Sequence, residues 1–387
     1  MKKFFALMLA LVMCAAMFAA CGGGATPPAE GGEAAPEGDT IKIGFIGPLT
    51  GDTAQYGEAV SNGAKSYFDK VNAEGGVDGK MVEFITMDSK GDPTDAANAY
   101  TRLVDEDGVC AIIGPVLTGE TLAVAELAAE DGIPCVTASA TGDTITDIGD
   151  TLFRTCFKDS FQGTKMADYA ADVMGYKNVA ILYNNADEYS VGLAEAFRAE
   201  AATKGITIVA DESYATDDTD FKAQLTNIKD ANPEAVFFPF YYDQCYMAAQ
   251  QAKEVGLTVP FMGGDGLSGL SGIEGVDATV IEGFMFSDHF SADGGNDATT
   301  AFGTEYQSAY GVAPMGFSFL AYDAAMIVVE GVKAAGTTEK AALVAAMKAV
   351  DMDCLTGHYV FDADNNPIKQ AAMTKIENGA NVFDQMF

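Results

Sequence analysis

The 387-residue chain reads as an α/β protein of two doubly wound lobes, each built on a parallel sheet. Two observations predict that class. Short apolar runs rich in Val, Ile and Phe alternate with stretches of helical periodicity, the order that gives parallel strands covered on both faces. The chain is also too long for one small core, and a second strand–helix series starts after Thr155.

The elements follow from the N-terminus. Met1-Lys2-Lys3 is a short basic segment ahead of an apolar run over residues 4–20. This is a secretory signal by composition, and its length also suits a membrane helix. Phe18-Ala19-Ala20-Cys21-Gly22 resembles the lipobox of bacterial lipoproteins, with Phe18 where an aliphatic residue is usual. That resemblance makes residues 1–20 a signal peptide and Cys21 the lipidated mature N-terminus. Two acyl chains there would meet the two-signal requirement for stable anchoring. Residues 22–39 are rich in Gly, Pro, Ala and Glu, bury no core and read as a flexible tether.

Residues 41–47 form the first strand, which Gly47-Pro48 stops because Pro gives no amide to a ladder. A polar loop over residues 49–56 is tipped by Tyr56, at the strand end where ligands sit in open α/β sheets. Val60, Gly63, Ala64, Tyr67, Phe68 and Val71 then recur at helical spacing until Gly75-Gly76. Further strands are expected at residues 81–87, 109–113, 135–138, 179–183, 206–209, 235–238 and 259–262. Helices are expected at 93–105, 119–130, 162–174, 192–204, 220–229 and 243–255. Asp92-Pro93 marks one helix start, a capping carboxylate followed by proline at the first helical position. The C-terminal part differs, with helices at 297–310, 316–335 and 339–350, then strands around 358–361 and 371–376.

Composition narrows the chemistry. The 22 Lys and Arg against 56 Asp and Glu give a formal net charge of −34, which argues against nucleic acid and anionic headgroups as partners. Beyond Cys14 and Cys21 stand Cys110, Cys135, Cys156, Cys245 and Cys354, an odd number with no C-x-x-C pair. Neither a zinc ribbon nor a dense disulfide framework is indicated, and Cys110 and Cys135 lie in apolar runs that suit buried free thiols. His289 and His358 sit in different segments without metal spacing, and each reads as a surface or hinge residue rather than a base. No G-x-S-x-G elbow or Walker A loop occurs. Gly264-Asp265-Gly266-Leu267-Ser268-Gly269 matches G-x-G-x-x-G, but Asp265 would repel a pyrophosphate approaching the backbone. Asp362-Ala363-Asp364-Asn365-Asn366 opens like a calcium loop, yet Pro367 replaces its glycine and Met373 its terminal glutamate, so a hairpin turn is expected. Neither cofactor nor metal is expected, and no catalytic constellation is present.

Polar residues at strand ends remain. Thr118 follows the strand ending at Ile113 and opens a helix, so its hydroxyl and the free helix amides suit a carboxylate. An N-cap threonine explains the same segment equally well. Thr137-Ala138-Ser139-Ala140-Thr141 offers a carbonyl and another hydroxyl after the next strand, or is an ordinary turn. Tyr189 precedes a helix, Tyr241 follows a strand, and Asp265 ends another, where an unpaired carboxylate is costly to desolvate.

Taken in order, Gln55-Tyr56-Gly57, Ile113-Gly114-Pro115, residues 137–141, Tyr189, Tyr241 and Phe261-Met262-Gly263-Gly264-Asp265-Gly266 resemble the leucine/isoleucine/valine-binding family. These are amino-acid receptors of ABC importers, and the resemblance covers essentially residues 41–387. It implies lobes of residues 40–158 plus 288–370 and 159–287 plus 371–387, joined by chain crossings near 157–160, 287–291 and 370–373. It further implies that Thr118 and Thr141 meet the ligand carboxylate and that the Ser139 carbonyl and Asp265 meet its ammonium. Tyr56, Tyr189, Tyr241 and Phe317 would wall the site with rings, and Leu117 would line it. Asp265 stands where branched-chain receptors often have Glu. A disulfide of some relatives has no counterpart, since Leu117 and Lys90-Gly91 hold no cysteine. A zwitterion needs an anion site, a cation site and an apolar wall, and this set offers all three.

The implied protein is a monomeric, lipid-anchored receptor outside the cytoplasmic membrane, binding Leu, Ile or Val and delivering it to a permease. A receptor of the same fold for an aromatic acid, short amide or urea is the alternative. An NAD-dependent enzyme is the remote one.

Overall fold

A computed structural model describes residues 40–291 and 296–387. The expected signal peptide, Cys21 and the expected tether lie outside the described residues.

The first sheet contains β1 (Ile41–Gly47), β2 (Val82–Asp88), β3 (Ala111–Ile113), β4 (Cys135–Thr137) and β5 (Leu152–Arg154). Its order is β2-β1-β3-β4-β5 and every pairing is parallel. Helices α1 (Ala54–Ala73), α2 (Pro93–Arg102) and α3 (Thr118–Asp131) connect these strands. Asp92 caps α2 by accepting from the amides of Thr94 and Asp95, at 2.8 and 2.9 Å. The last turn widens to a π turn over Leu103–Asp107, closed by Gly108 at φ 70°.

The chain then crosses to the second lobe and returns. There α4 (Asp159–Asp168), β6 (Asn178–Asn184), α5 (Glu188–Lys204), β7 (Thr207–Tyr214) and α6 (Lys222–Asp230) follow one another. They continue into β8 (Ala235–Phe237), α7 (Tyr242–Val255), β9 (Phe261–Gly263), α8 (Ala278–Ile281) and β10 (Met285–Asp288). Helices α9 (Asp297–Tyr310), α10 (Gly316–Ala335) and α11 (Lys340–Lys348) come next, and α10 packs on α1, β3 and β4 of the first lobe. A hairpin of β11 (Asp351–Cys354) and β12 (Gly357–Val360) precedes β13 (Ala372–Glu377) and β14 (Ala380–Met386). The second sheet runs β14-β13-β10-β9-β8-β6-β7, parallel except for its last two strands, which add antiparallel at the β10 edge.

Both central sheets are apolar on both faces, as parallel strands under helices must be: β3, β4, β8 and β9 are buried throughout. Two expectations of position are corrected. Tyr56 is not the tip of a loop, because α1 starts at Ala54; Tyr189 does not precede its helix but stands in the first turn of α5, behind the Asp187 cap. Both helices begin before their first apolar periodic residue, so periodicity placed the starts late. Four strands escaped the sequence reading: β5, β10, β11 and β14. The five cysteines among the described residues are free thiols.

Candidate functional site

The site forms where the strand ends of the two lobes face each other. From β3, the chain turns through Pro115 into α3, whose first residue is Thr118. Leu117, not Thr118, occupies the cap, and its amide donates to Glu120 Oε2 at 3.1 Å. The Thr118 hydroxyl instead accepts from the amide of Gly142 at 3.1 Å, tying α3 to the loop after β4. That loop is fixed from within. Thr137 Oγ1 donates to the Pro115 carbonyl and Ser139 Oγ to the Val116 carbonyl, both at 2.7 Å. Arg154 is wholly buried behind it and donates to the Thr141 and Gly142 carbonyls at 3.0 and 2.9 Å. The Thr141 hydroxyl is buried and, apart from the Asp159 carboxyl that it faces, has no polar partner.

Across the cleft, Asp265 ends the β9 strand in a 3₁₀ turn over Asp265–Leu267. Its Oδ1 accepts from Tyr189 Oη at 2.8 Å and Gln162 Nε2 at 3.0 Å; its Oδ2 lies 2.8 Å from His289 Nε2. The glycines around it serve packing. A Cβ on Gly266 would stand 2.5 Å from the Phe240 carbonyl oxygen, and one on Gly264 would stand 2.7 Å from Gln162 Oε1. The G-x-G spacing is thus explained by a crowded turn.

Rings close the space between. Tyr189 and Tyr241 stack with centroids 5.2 Å apart and planes 1° from parallel. Tyr56 sits edge-on to Tyr241 at 6.0 Å, to Tyr242 at 5.0 Å and to Phe317 at 5.2 Å. Its hydroxyl donates to the Gly266 carbonyl at 2.5 Å, a direct bond from one lobe to the other. Burial pushes the hydroxyls of Tyr56, Tyr189 and Tyr241 well above the usual phenol range, so all three stay protonated donors.

The structure gathers Tyr56, Leu117, Thr118, Ser139, Thr141, Tyr189, Tyr241 and Asp265 around one small cavity of about 10 Å³. Phe317 does not line it but backs the Tyr56 ring. Sequence reasoning missed Gln162, Arg154 and Asp159, and of its two readings of His289, surface or hinge, burial excludes the first. That histidine is 3% exposed and paired with Asp265, although it does stand on a chain crossing; a histidine after a strand carries no local sign of burial. His358 is half exposed and meets Asp351 and Asp353 at 3.1 and 2.7 Å. Asp159 is buried; its Oδ1 accepts from Gln162 Nε2 at 2.9 Å and its carboxyl faces the Thr141 hydroxyl. Burial, and then the Asp265 charge, raise its carboxyl well above the ordinary range.

Residues 40–381 match the family model described as Periplasmic binding protein. The Leu/Ile/Val-binding protein homolog 3 of Brucella melitensis is 33% identical over 306 residues, which cover 79% of this chain and 82% of that one. The branched-chain amino acid transporter substrate-binding protein LivJ of Streptococcus pneumoniae, solved with isoleucine, superposes with a TM-score of 0.85. It is 34% identical, over 90% of this chain and 99% of that one. A solute-binding protein of an R. palustris ABC transporter, solved with benzoate, has a TM-score of 0.80 at 25% identity, over 90% and 96% of the two chains. The glycines of residues 264–269 thus belong to a binding protein, not to a dehydrogenase. The chain is a member of the periplasmic binding protein family, of type I, in the non-enzymatic group that includes the branched-chain amino-acid-binding proteins of ABC transporters.

Proposed function

We propose that this protein captures a branched-chain amino acid, leucine, isoleucine or valine, between its lobes and presents it to an ABC permease. One observation carries the reading: a buried Thr141 hydroxyl shares a cavity with Thr118, the Asp265 carboxylate and stacked tyrosines. The ligand carboxylate meets Thr118 and Thr141, where the α3 amides and the buried Arg154 favour negative charge. The ammonium meets Asp265 and the Ser139 carbonyl. Tyr56, Tyr189 and Tyr241 enclose the side chain, with Leu117 on the first lobe and Phe317 behind Tyr56.

Ligand bridging both lobes favours the closed form by its differential affinity for that form. The lobes, residues 40–158 plus 288–370 and 159–287 plus 371–387, turn about the chain segments that cross between the sheets. Lipidation of Cys21 holds the receptor at the outer face of the cytoplasmic membrane.

The benzoate-bound relative favours one other reading, a ring-bearing acid held by the same tyrosines. Asp265 weighs against it, because an acid without an ammonium leaves that carboxylate facing a second negative charge. Titration calorimetry separates the two. Leucine, isoleucine or valine binds the wild-type protein, benzoate does not, and Asp265→Asn weakens amino-acid binding at least about a hundredfold at unchanged fold. Benzoate binding without amino-acid binding selects the other reading. Unchanged affinity in Asp265→Asn removes that residue from the site.

A further inference from the structure

Of the two histidines, His289 alone is buried, and every polar contact of its ring is set by the site or by the crossings. Its Nδ1 faces the amide of Phe157 at 3.5 Å and accepts from it, so in the neutral ring the proton sits on Nε2. Nε2 then donates to Asp265 Oδ2 at 2.8 Å. The main-chain amide of His289 donates to Asp288 Oδ1 at 2.7 Å, fixing where the ring leaves the backbone. The ring itself lies on Phe157 with centroids 3.7 Å apart, and Phe317 of helix α10 stands 5.7 Å away. Burial pulls the imidazole below its ordinary range against the opposing pull of Asp265, which keeps it neutral near pH 7.

The two oxygens of Asp265 are not equally held. Oδ1 has Tyr189 and Gln162 as donors, both on helices of the second lobe, whereas the donor to Oδ2 is His289. His289 lies between β10 and α9, and Phe157 lies between β5 and α4, so both stand on segments that cross between the lobes. We propose that His289 is a positioning residue for Asp265: its Nε2–H fixes the plane of the carboxylate and makes that plane depend on the crossing segments. The proposal rests on the reading of Asp265 as the acceptor of the ligand ammonium. It assigns a role to a residue outside the cavity wall, reached through the carboxylate rather than by contact with ligand.

The two variants that test it remove different properties. His289→Phe keeps the ring against Phe157 and Phe317 but has no donor. His289→Gln loses the ring but places an amide nitrogen near the position of Nε2. In titrations with leucine, His289→Phe weakens binding by roughly ten- to a hundredfold, the scale of one hydrogen bond to a charged group. His289→Gln stays within about threefold of wild type, because the donor is restored. A purely structural ring gives the reverse order, with Phe tolerated and Gln not, and that result overturns the proposal. Melting temperatures recorded alongside identify a variant that fails to fold; His289→Met, apolar and without a donor, then replaces His289→Phe with the same expected loss. If wild type binds none of leucine, isoleucine and valine, the proposed function falls and this proposal with it. If wild type binds leucine and His289→Phe binds it equally well, the positioning role alone is wrong.

Discussion

Glu120 shows how a side chain that never meets the ligand still shapes the site. It is fully buried in the first turn of α3, accepting from Ser89 Oγ and, at 3.1 Å, from the Leu117 amide. Burial pushes its carboxyl up to about 7 from an ordinary 4.5. A raised acid holds its proton more tightly in the folded chain, so between those values the folded state binds more protons than the unfolded one. Stability from this group therefore falls as pH rises through that window, and the cost is full above it. Glu120→Gln removes the titration. Its melting temperature relative to wild type becomes more favourable as pH is raised from about 5 to 8, by thermal unfolding in matched buffers. A difference that does not change with pH would mean Glu120 titrates normally. The same scale shows what sequence could disclose. Thr118, Thr141 and Asp265 stood out because each follows an apolar strand, where a polar group needs a reason. His289 meets Phe157, 132 residues earlier, and Asp265, 24 residues earlier; nothing in Asp288-His289-Phe290 announces either partner.

Helices α1 and α10 carry Tyr56 and Phe317, and they pack at Gly63, where a Cβ would stand 2.2 Å from the Ser318 carbonyl oxygen. Backbone atoms cannot rotate away as a side chain does. Gly63→Ala therefore costs about 1–3 kcal/mol, the range for overpacking a close contact, and lowers the melting temperature by several degrees. It also separates the two rings, so calorimetry detects weaker leucine binding than wild type. Unchanged stability would mean that the helices slide apart freely. Long elements such as α10 were legible because periodicity had room to repeat, and the alternation of strand and helix announced the fold class. The three residues of β5 offer no period, and β14 is an edge strand exposed along most of its length, so its pattern is not that of a buried strand.

For the molecule as a whole, a formal charge of −34 gives no electrostatic attraction to an anionic membrane surface. Among the described residues no helix is long and apolar enough to cross a membrane. In the proposed reading, retention at the membrane rests on the lipid on Cys21. Cys21→Ser moves the protein from the membrane fraction to the soluble fraction on cell fractionation, with leucine affinity of the soluble form unchanged. Continued sedimentation with membranes would point to another anchor.

The return of α9, α10 and α11 to the first lobe, after the second lobe has been traversed, also sets an order of assembly. Gly63 cannot meet Ser318 until most of the chain exists. Until then α1 lacks its α10 partner, more than two hundred residues further along the chain, and β3 and β4 lack the helix that packs on them. Residues 159–288 are contiguous and hold five of the seven strands of the second sheet, so that lobe can condense before the first. The half that begins the chain is thus completed by residues near its end.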